Sequence, residues 1–131
     1  MQIPLSVLVV DDEEELATLY KEFVRTMGYD AVSFTNPLLA FEHYKQRLDK
    51  YSLIITDLRM PGMCGLELAN RIRELDSDVK IFLITAFDIA DIESKGAVGT
   101  AKIDKVLQKP IKFPVLKETI DQNIIQNREN S

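Results

Sequence analysis

Four short stretches of this 131-residue chain hold side chains that could do chemistry, and each follows an apolar run. Asp11, Asp12 and Glu13 follow Val7-Leu8-Val9-Val10; Asp57 follows Leu53-Ile54-Ile55; Thr85 follows Ile81-Phe82-Leu83-Ile84; Lys109 follows Val106-Leu107 and precedes Pro110. Two carboxylates about 4 Å apart repel by roughly 4 kcal/mol at an effective dielectric of about 20, and raise each other's pKa unless a cation intervenes. A hard divalent cation such as Mg2+, which takes carboxylate, water and phosphate oxygens, removes that repulsion. An aspartate, a metal, a lysine and a hydroxyl together suit phosphoryl transfer to a carboxylate. Asp57 is then the nucleophile, the metal and Lys109 neutralise the transferring group, and Thr85 hydrogen-bonds the product.

The elements that must bring these residues together are legible in the apolar spacing. Short Val/Ile/Leu runs bounded by turn residues read as buried strands of a parallel sheet. Between them, Leu16, Leu19, Tyr20, Phe23, Val24 and Met27 fall at helical spacing, with Asp12 or Glu13 as cap and Gly28 as stop. Asn36-Pro37 starts a second helix whose face is drawn from Leu38, Phe41, Tyr44 and Leu48. Residues 66–75 give a third, residues 89–95 a weak fourth stopped by Gly96, and Phe113, Leu116, Ile120 and Ile124 a last one. Five strands alternating with five helices predict an α/β fold, a doubly wound parallel sheet with helices on both faces. Right-handed crossovers leave few topologies, of which 2-1-3-4-5 is common at this size. In that order the first and third strands are neighbours, and Asp11, Asp12 and Asp57 converge at the carboxyl edge, where such sheets place ligands.

Length allows one domain with one core region of about residues 5–126 and a polar tail at 127–131. A net charge of −5 implies no basic face and predicts no direct nucleic-acid binding. A single cysteine, Cys64, excludes an internal disulfide and fits a reducing compartment. Cys64 is read as a small packing residue, and His43 as a solvated helix residue without a role. Met1-Gln2 lacks a basic leader, and no apolar run approaches the roughly 20 residues of a membrane span, so a cytoplasmic protein without membrane insertion is expected.

Taken with their order, these residues resemble a known family. Val9-Val10-Asp11-Asp12 with Glu13, the run Asp57-Leu58-Arg59-Met60-Pro61-Gly62-Met63-Cys64-Gly65, Thr85-Ala86 and Lys109-Pro110 are similar to the receiver domain of two-component response regulators, the chemotaxis regulator's family. The resemblance covers residues 7–124 and implies a flavodoxin-like (βα)5 fold. It implies that Asp57 accepts phosphate from a phosphohistidine of a sensor histidine kinase or phosphotransfer protein. Asp12, Asp57 and the Arg59 main-chain carbonyl are expected to hold Mg2+ directly, and Asp11 through water. Lys109 would pair with the phosphoryl group, the bond before Pro110 would be cis, and Thr85 would carry the signal to the face of the fourth predicted helix, the fifth strand and the last helix.

The chain departs from the family pattern at four places. The aromatic switch position three before Lys109 is Val106, the turn glycine before the fifth strand is Lys102, and Lys112-Phe113-Pro114 replaces an acidic or hydroxyl cap on the last helix. The stretch from Thr85 to Lys109 is slightly long, which predicts a displaced fourth helix with faster amide exchange than the last one, and Phe87 with Arg59 would shade the phosphate. With little sequence after Ile124, the expectation is a stand-alone regulator that docks on an unknown protein target. The alternative is a phosphorelay intermediate, and further readings are a phosphate-independent pseudo-receiver or an aspartyl-phosphate hydrolase. The hydrolase pattern wants an aspartate where Arg59 stands. A flavin carrier wants a Ser/Thr/Gly-rich loop where Asp-Asp-Glu-Glu-Glu stands, and no P-loop motif occurs.

Overall fold

A computed structural model describes residues 5–86 and 101–129, with side chains to residue 124. Elements are numbered over these residues: β1 (Ser6–Val10), α1 (Glu14–Thr26), β2 (Asp30–Phe34), α2 (Pro37–Lys45), β3 (Leu53–Asp57), α3 (Gly65–Leu75), β4 (Lys80–Thr85), β5 (Lys105–Gln108) and α4 (Phe113–Glu129). The strands form one sheet in the order β2-β1-β3-β4-β5 with every pair parallel, the doubly wound arrangement the alternation predicts. The predicted helix at 89–95, Phe87 and the comparison of exchange rates there lie outside the described residues.

Successive strand residues face opposite sides, which divides the apolar runs between two cores. Leu8, Val10, Ile54 and Ile81 pack with Ala40 and Tyr44 of α2 and with Leu68, Ala69 and Ile72 of α3. Val7, Val9, Leu53, Ile55, Phe82 and Ile84 pack with Tyr20 and Val24 of α1 and with Leu116, Ile120 and Ile124 of α4. A continuous Val/Ile run serves both faces at once, and for that reason shows no alternation of its own.

Several local expectations need correction. On α1 the carboxylate that accepts the Glu13 N–H is that of Asp11, at 2.9 Å, and the N-cap residue Glu13 makes no side-chain cap. Asn36 does cap α2, accepting from the N–H groups of Leu38 and Leu39. The buried stripe of α2 is Pro37, Ala40 and Tyr44, so Leu38 and Leu48, predicted for its face, are 48% and 46% exposed. Tyr44 sets that rotation: its ring is buried beside Tyr51 and its hydroxyl donates to Asp76 at 2.7 Å. His43 is not freely solvated: its Nε2 meets the Tyr51 hydroxyl, its ring lies 4.9 Å from that of Phe34, and burial with Arg47 and Lys50 lowers its pKa. Cys64 is exposed rather than packed. The last helix continues to Glu129, into the stretch expected to fray.

The end of α3 is tied to the entrance of β5. The Arg73 guanidinium donates to the carbonyls of Ala101, Lys102 and Val79 and meets Asp104 at 3.2 Å, while Asp104 accepts the Ile81 N–H at 2.8 Å. Lys102, the residue at the family's glycine position, has φ +54°. A left-handed lysine costs free energy, and the Arg73 bond to its carbonyl helps hold the turn there.

Candidate functional site

Parallel pairing aligns the carboxyl ends of four strands. Val10 lies opposite both Phe34 and Thr56, Asp57 opposite Ile84, and Thr85 opposite Gln108. The residue after β1 and the last residue of β3 are therefore adjacent. Asp11, Asp12 and Asp57 each offer a carboxylate oxygen, and these oxygens all lie within 4.8 Å of one another. Asp11 is 1% and Asp57 8% exposed, whereas Asp12 is open to solvent. From beyond β5 the Lys109 side chain reaches back to both buried acids, with Nζ 3.3 Å from Asp11 Oδ2 and 3.2 Å from Asp57 Oδ1.

Backbone hydrogen bonds set the positions of these side chains. Asp11 N–H donates to the Phe34 carbonyl at 3.1 Å, Leu58 N–H to Ile84 at 2.9 Å, and Lys109 N–H to Thr85 at 2.7 Å. Thr85 itself is buried at the end of β4, and the Lys109–Pro110 peptide is cis. The loop after Asp57 closes on Gly65, whose N–H donates to the Leu58 carbonyl at 2.7 Å. A Cβ on Gly65 would stand 2.2 Å from the Asp57 carbonyl oxygen. Sequence reading used Gly65 only as part of a motif; the Pro61-Gly62 turn gave no sign that the backbone passes this close.

The charges do not balance. Among the described residues, two buried carboxylates and a third beside them face the Lys109 ammonium. Burial raises the Asp57 pKa, Asp11 raises it further, and Lys109 only partly opposes them. Asp11 is raised by burial as well, against the Glu13 N–H and Lys109. For Lys109 burial works toward a lower pKa, but Asp11 and Asp57 outweigh it and hold the ammonium charged. Such a site gains from a cation. Its donors are hard carboxylate oxygens with one solvent-facing member, the set that suits a small divalent ion keeping some of its waters. Access is through an open cleft of about 380 Å³ lined by Asp12, Arg59, Met60, Pro61 and Cys64.

The predicted residues Asp11, Asp12, Asp57 and Lys109 are thus gathered at one edge, with Thr85 on the neighbouring strand end. Arg59 lines the cleft beside Asp12. Val106 is half-buried opposite Leu83 in β5, one strand removed from β3.

The family model described as response regulator receiver domain matches residues 7–121. The chain is 31% identical to the response regulator receiver protein CpdR of Brucella abortus over 91% of this chain and 96% of that protein. It is 34% identical to the sensor protein EvgS of Escherichia coli over 90% of this chain, but spans only 10% of that much longer protein. Among solved structures, the response regulator protein TrrA of Thermotoga maritima, in complex with Mg(2+)-BeF, is 33% identical with a TM-score of 0.79 over 90% of this chain and 97% of that one. A CheY-like receiver domain protein of Methanospirillum hungatei shares the fold at a TM-score of 0.87, covering 98% of this chain and all of that one at 20% identity. With an acid cluster and a lysine at one sheet edge, and the family pattern running from the first strand into the last helix, this chain belongs to the response regulator receiver domain family, whose members act as signalling phosphoacceptors.

Proposed function

We propose that Asp57 accepts a phosphoryl group from a sensor histidine kinase or phosphotransfer protein in a Mg2+-dependent reaction, and that the phosphorylated chain signals by altered protein docking. The observation that carries this reading is the Lys109 ammonium bridging Asp11 and Asp57 beside a third carboxylate. Asp12, Asp57 and the Arg59 carbonyl would hold Mg2+, with Asp11 reached through water. When bound, the ion supplies charge neutralisation at the transferring phosphoryl and removes the repulsion among the acids. An Asp57 carboxylate oxygen attacks phosphorus, the P–N bond of the phosphohistidine breaks, and the imidazole nitrogen leaves with the electron pair. Lys109 then moves from the carboxylates to the phosphoryl oxygens. Arranging these groups is how the chain assists its own phosphorylation.

The new group brings a charge of about −2. Thr85, one strand away, is the group that would answer it. Because Val106 offers no ring to swing inward, Thr85 would act through the backbone of the segment that follows and through β5, toward the face shared with α4. The stand-alone reading draws support from CpdR and from the response regulator DivK of Brucella anthropi, matched over 96% and 94% of their lengths. A phosphorelay role is favoured by 32% identity over 92 residues to sporulation initiation phosphotransferase F of Bacillus subtilis. Among the described residues no helix is long and apolar enough to cross a membrane, in keeping with a proposed cytoplasmic site of action.

The test is intact mass after incubation with a small phosphodonor and Mg2+. One added phosphoryl group, lost in Asp57→Asn, is expected. No adduct on the native chain would refute the phosphoacceptor role and leave a phosphate-independent receiver.

A further inference from the structure

Phe23 of α1 and Phe113, the first residue of α4, stack with ring centroids 4.3 Å apart and planes 12° from parallel. Both rings are half-buried and pack against the core that holds Val24, Ile84 and Leu116. Tyr29, just past the end of α1, donates to Asp121 of α4 at 3.3 Å, a second tie between the two helices. The start of α4 has little polar support. Its first turn carries no acidic residue, the Lys112 side chain before it offers no acceptor, and Pro114 lacks an N–H. Backbone bonds pin the ends of this corner, Lys109 N–H to Thr85 at 2.7 Å and Leu116 N–H to Lys112 at 3.0 Å. Between them, Ile111 and Phe113 anchor it by packing.

The two helices follow opposite charges of the site. Asp11 and Asp12 precede α1, and the Glu13 N–H bonds Asp11. Lys109 precedes α4, and its Nζ lies 3.3 Å from Asp11 and 3.2 Å from Asp57. We infer that Phe23 is a positioning residue for Lys109: by stacking on Phe113 it holds the corner from Lys109 to Phe113 against α1, and with it the ammonium over the phosphoacceptor. The inference rests on the phosphoacceptor reading above. A lysine side chain is a flexible four-carbon stem, so the backbone that carries it limits where Nζ can go. A divalent cation among the acids weakens the attraction that now holds Lys109, whereas an uncharged ring stack is unaffected. Phe113 stands in Lys112-Phe113-Pro114, where the family pattern has an acidic or hydroxyl cap. Here a ring, rather than a polar cap, fixes where the helix starts.

Phe23→Leu removes the ring and keeps an apolar side chain. Its phosphorylation rate, at saturating small phosphodonor and Mg2+ and at a temperature where it is fully folded, is expected to fall about two- to tenfold, the weight of one stacked ring pair. Beryllofluoride affinity in the presence of Mg2+ should fall by a similar factor, since Lys109 must meet that phosphoryl mimic, while the Kd for Mg2+ alone should not move. Phe113→Leu should give the same losses, the two changes together no more than either, and it carries the test alone if Phe23→Leu does not fold. Val24→Ala hollows the same core beside the stack and leaves both rings in place, so it measures lost stability alone and should keep the native rate. In a Lys109→Ala background, Phe23→Leu should cost beryllofluoride affinity nothing more, because the ring acts through the lysine. A native rate in the folded Leu variants, an equal loss in Val24→Ala, a Mg2+ Kd weakened as much as that for beryllofluoride, or a full further loss in the Lys109→Ala background would each overturn the inference while leaving Asp57 as phosphoacceptor. Absence of any adduct on the native chain would remove both.

Discussion

Replacing the proposed phosphoacceptor should make the metal-free protein more stable. Lys109 Nζ is 3.2 Å from Asp57 Oδ1, an attraction of about 5 kcal/mol at an effective dielectric of about 20. The Asp11 oxygen lies within 4.8 Å of that of Asp57, a repulsion of at least about 3.5 kcal/mol on the same footing. The two nearly offset each other, leaving about 1.5 kcal/mol in favour of the charge, before the repulsion from Asp12 is counted. Against this stands desolvation of a carboxylate that is 8% exposed, several kcal/mol for a buried ion. Asp57→Asn relieves that penalty and leaves Asp11 and Lys109 as a matched pair, so a gain of about 1–3 kcal/mol is expected near pH 7. For a chain of this size that is a rise in Tm of roughly 4–10 °C.

The pH dependence carries the same sign. Burial, then Asp11, raise the Asp57 pKa above its ordinary 3.8, so the folded state binds the proton more readily than the unfolded one. Stability then falls as pH rises from the ordinary value through the raised one, and the penalty is complete above it. The advantage of Asp57→Asn should be largest near neutrality and vanish below about pH 4. Urea unfolding in EDTA at several pH values measures this. A less stable Asp57→Asn at pH 7, or an advantage that survives unchanged at low pH, would refute the charge argument.

Lys109→Ala acts on the same cluster with the opposite sign. It leaves two buried acids uncompensated and should cost about 2–4 kcal/mol in metal-free unfolding, partly restored by Mg2+. Gly65→Ala drives a methyl group into the Asp57 carbonyl and toward Leu83, so it should cost about 2–4 kcal/mol by denaturant unfolding and slow phosphorylation by displacing Asp57. Arg73→Ala frees the turn at Lys102 and leaves Asp104 with Lys80 and the Ile81 N–H. A loss of about 2–3 kcal/mol is expected, with faster amide exchange across β5 than across β1 by hydrogen-exchange mass spectrometry.

The elements themselves were legible because their signals are local. Apolar runs of three or four residues leading to an acid or a hydroxyl, Asn36-Pro37 before α2 and Gly28 after α1 each act within a few residues of where they stand. Facing was less legible: Leu38 and Leu48 have the right spacing for a buried stripe, yet a contact 32 residues away, Tyr44 to Asp76, turns α2 onto a different face. His43 shows the same limit, since Phe34 and Tyr51 reach it only through the fold.

Which residues could take part in phosphoryl transfer was written in their types and order: acids just after β1 and at the end of β3, a hydroxyl at the end of β4, a lysine before Pro110. The strand order and register decided the rest, because only parallel pairing of β1 with β3 brings Asp11 and Asp12 beside Asp57, and only a chain that crosses β4 to build β5 returns Lys109 over both. The same holds for Gly65 under the Asp57 carbonyl. Electrostatic and steric interactions act over a few ångströms of space, and the separation of 98 positions between Asp11 and Lys109 becomes such a distance only when the sheet is formed.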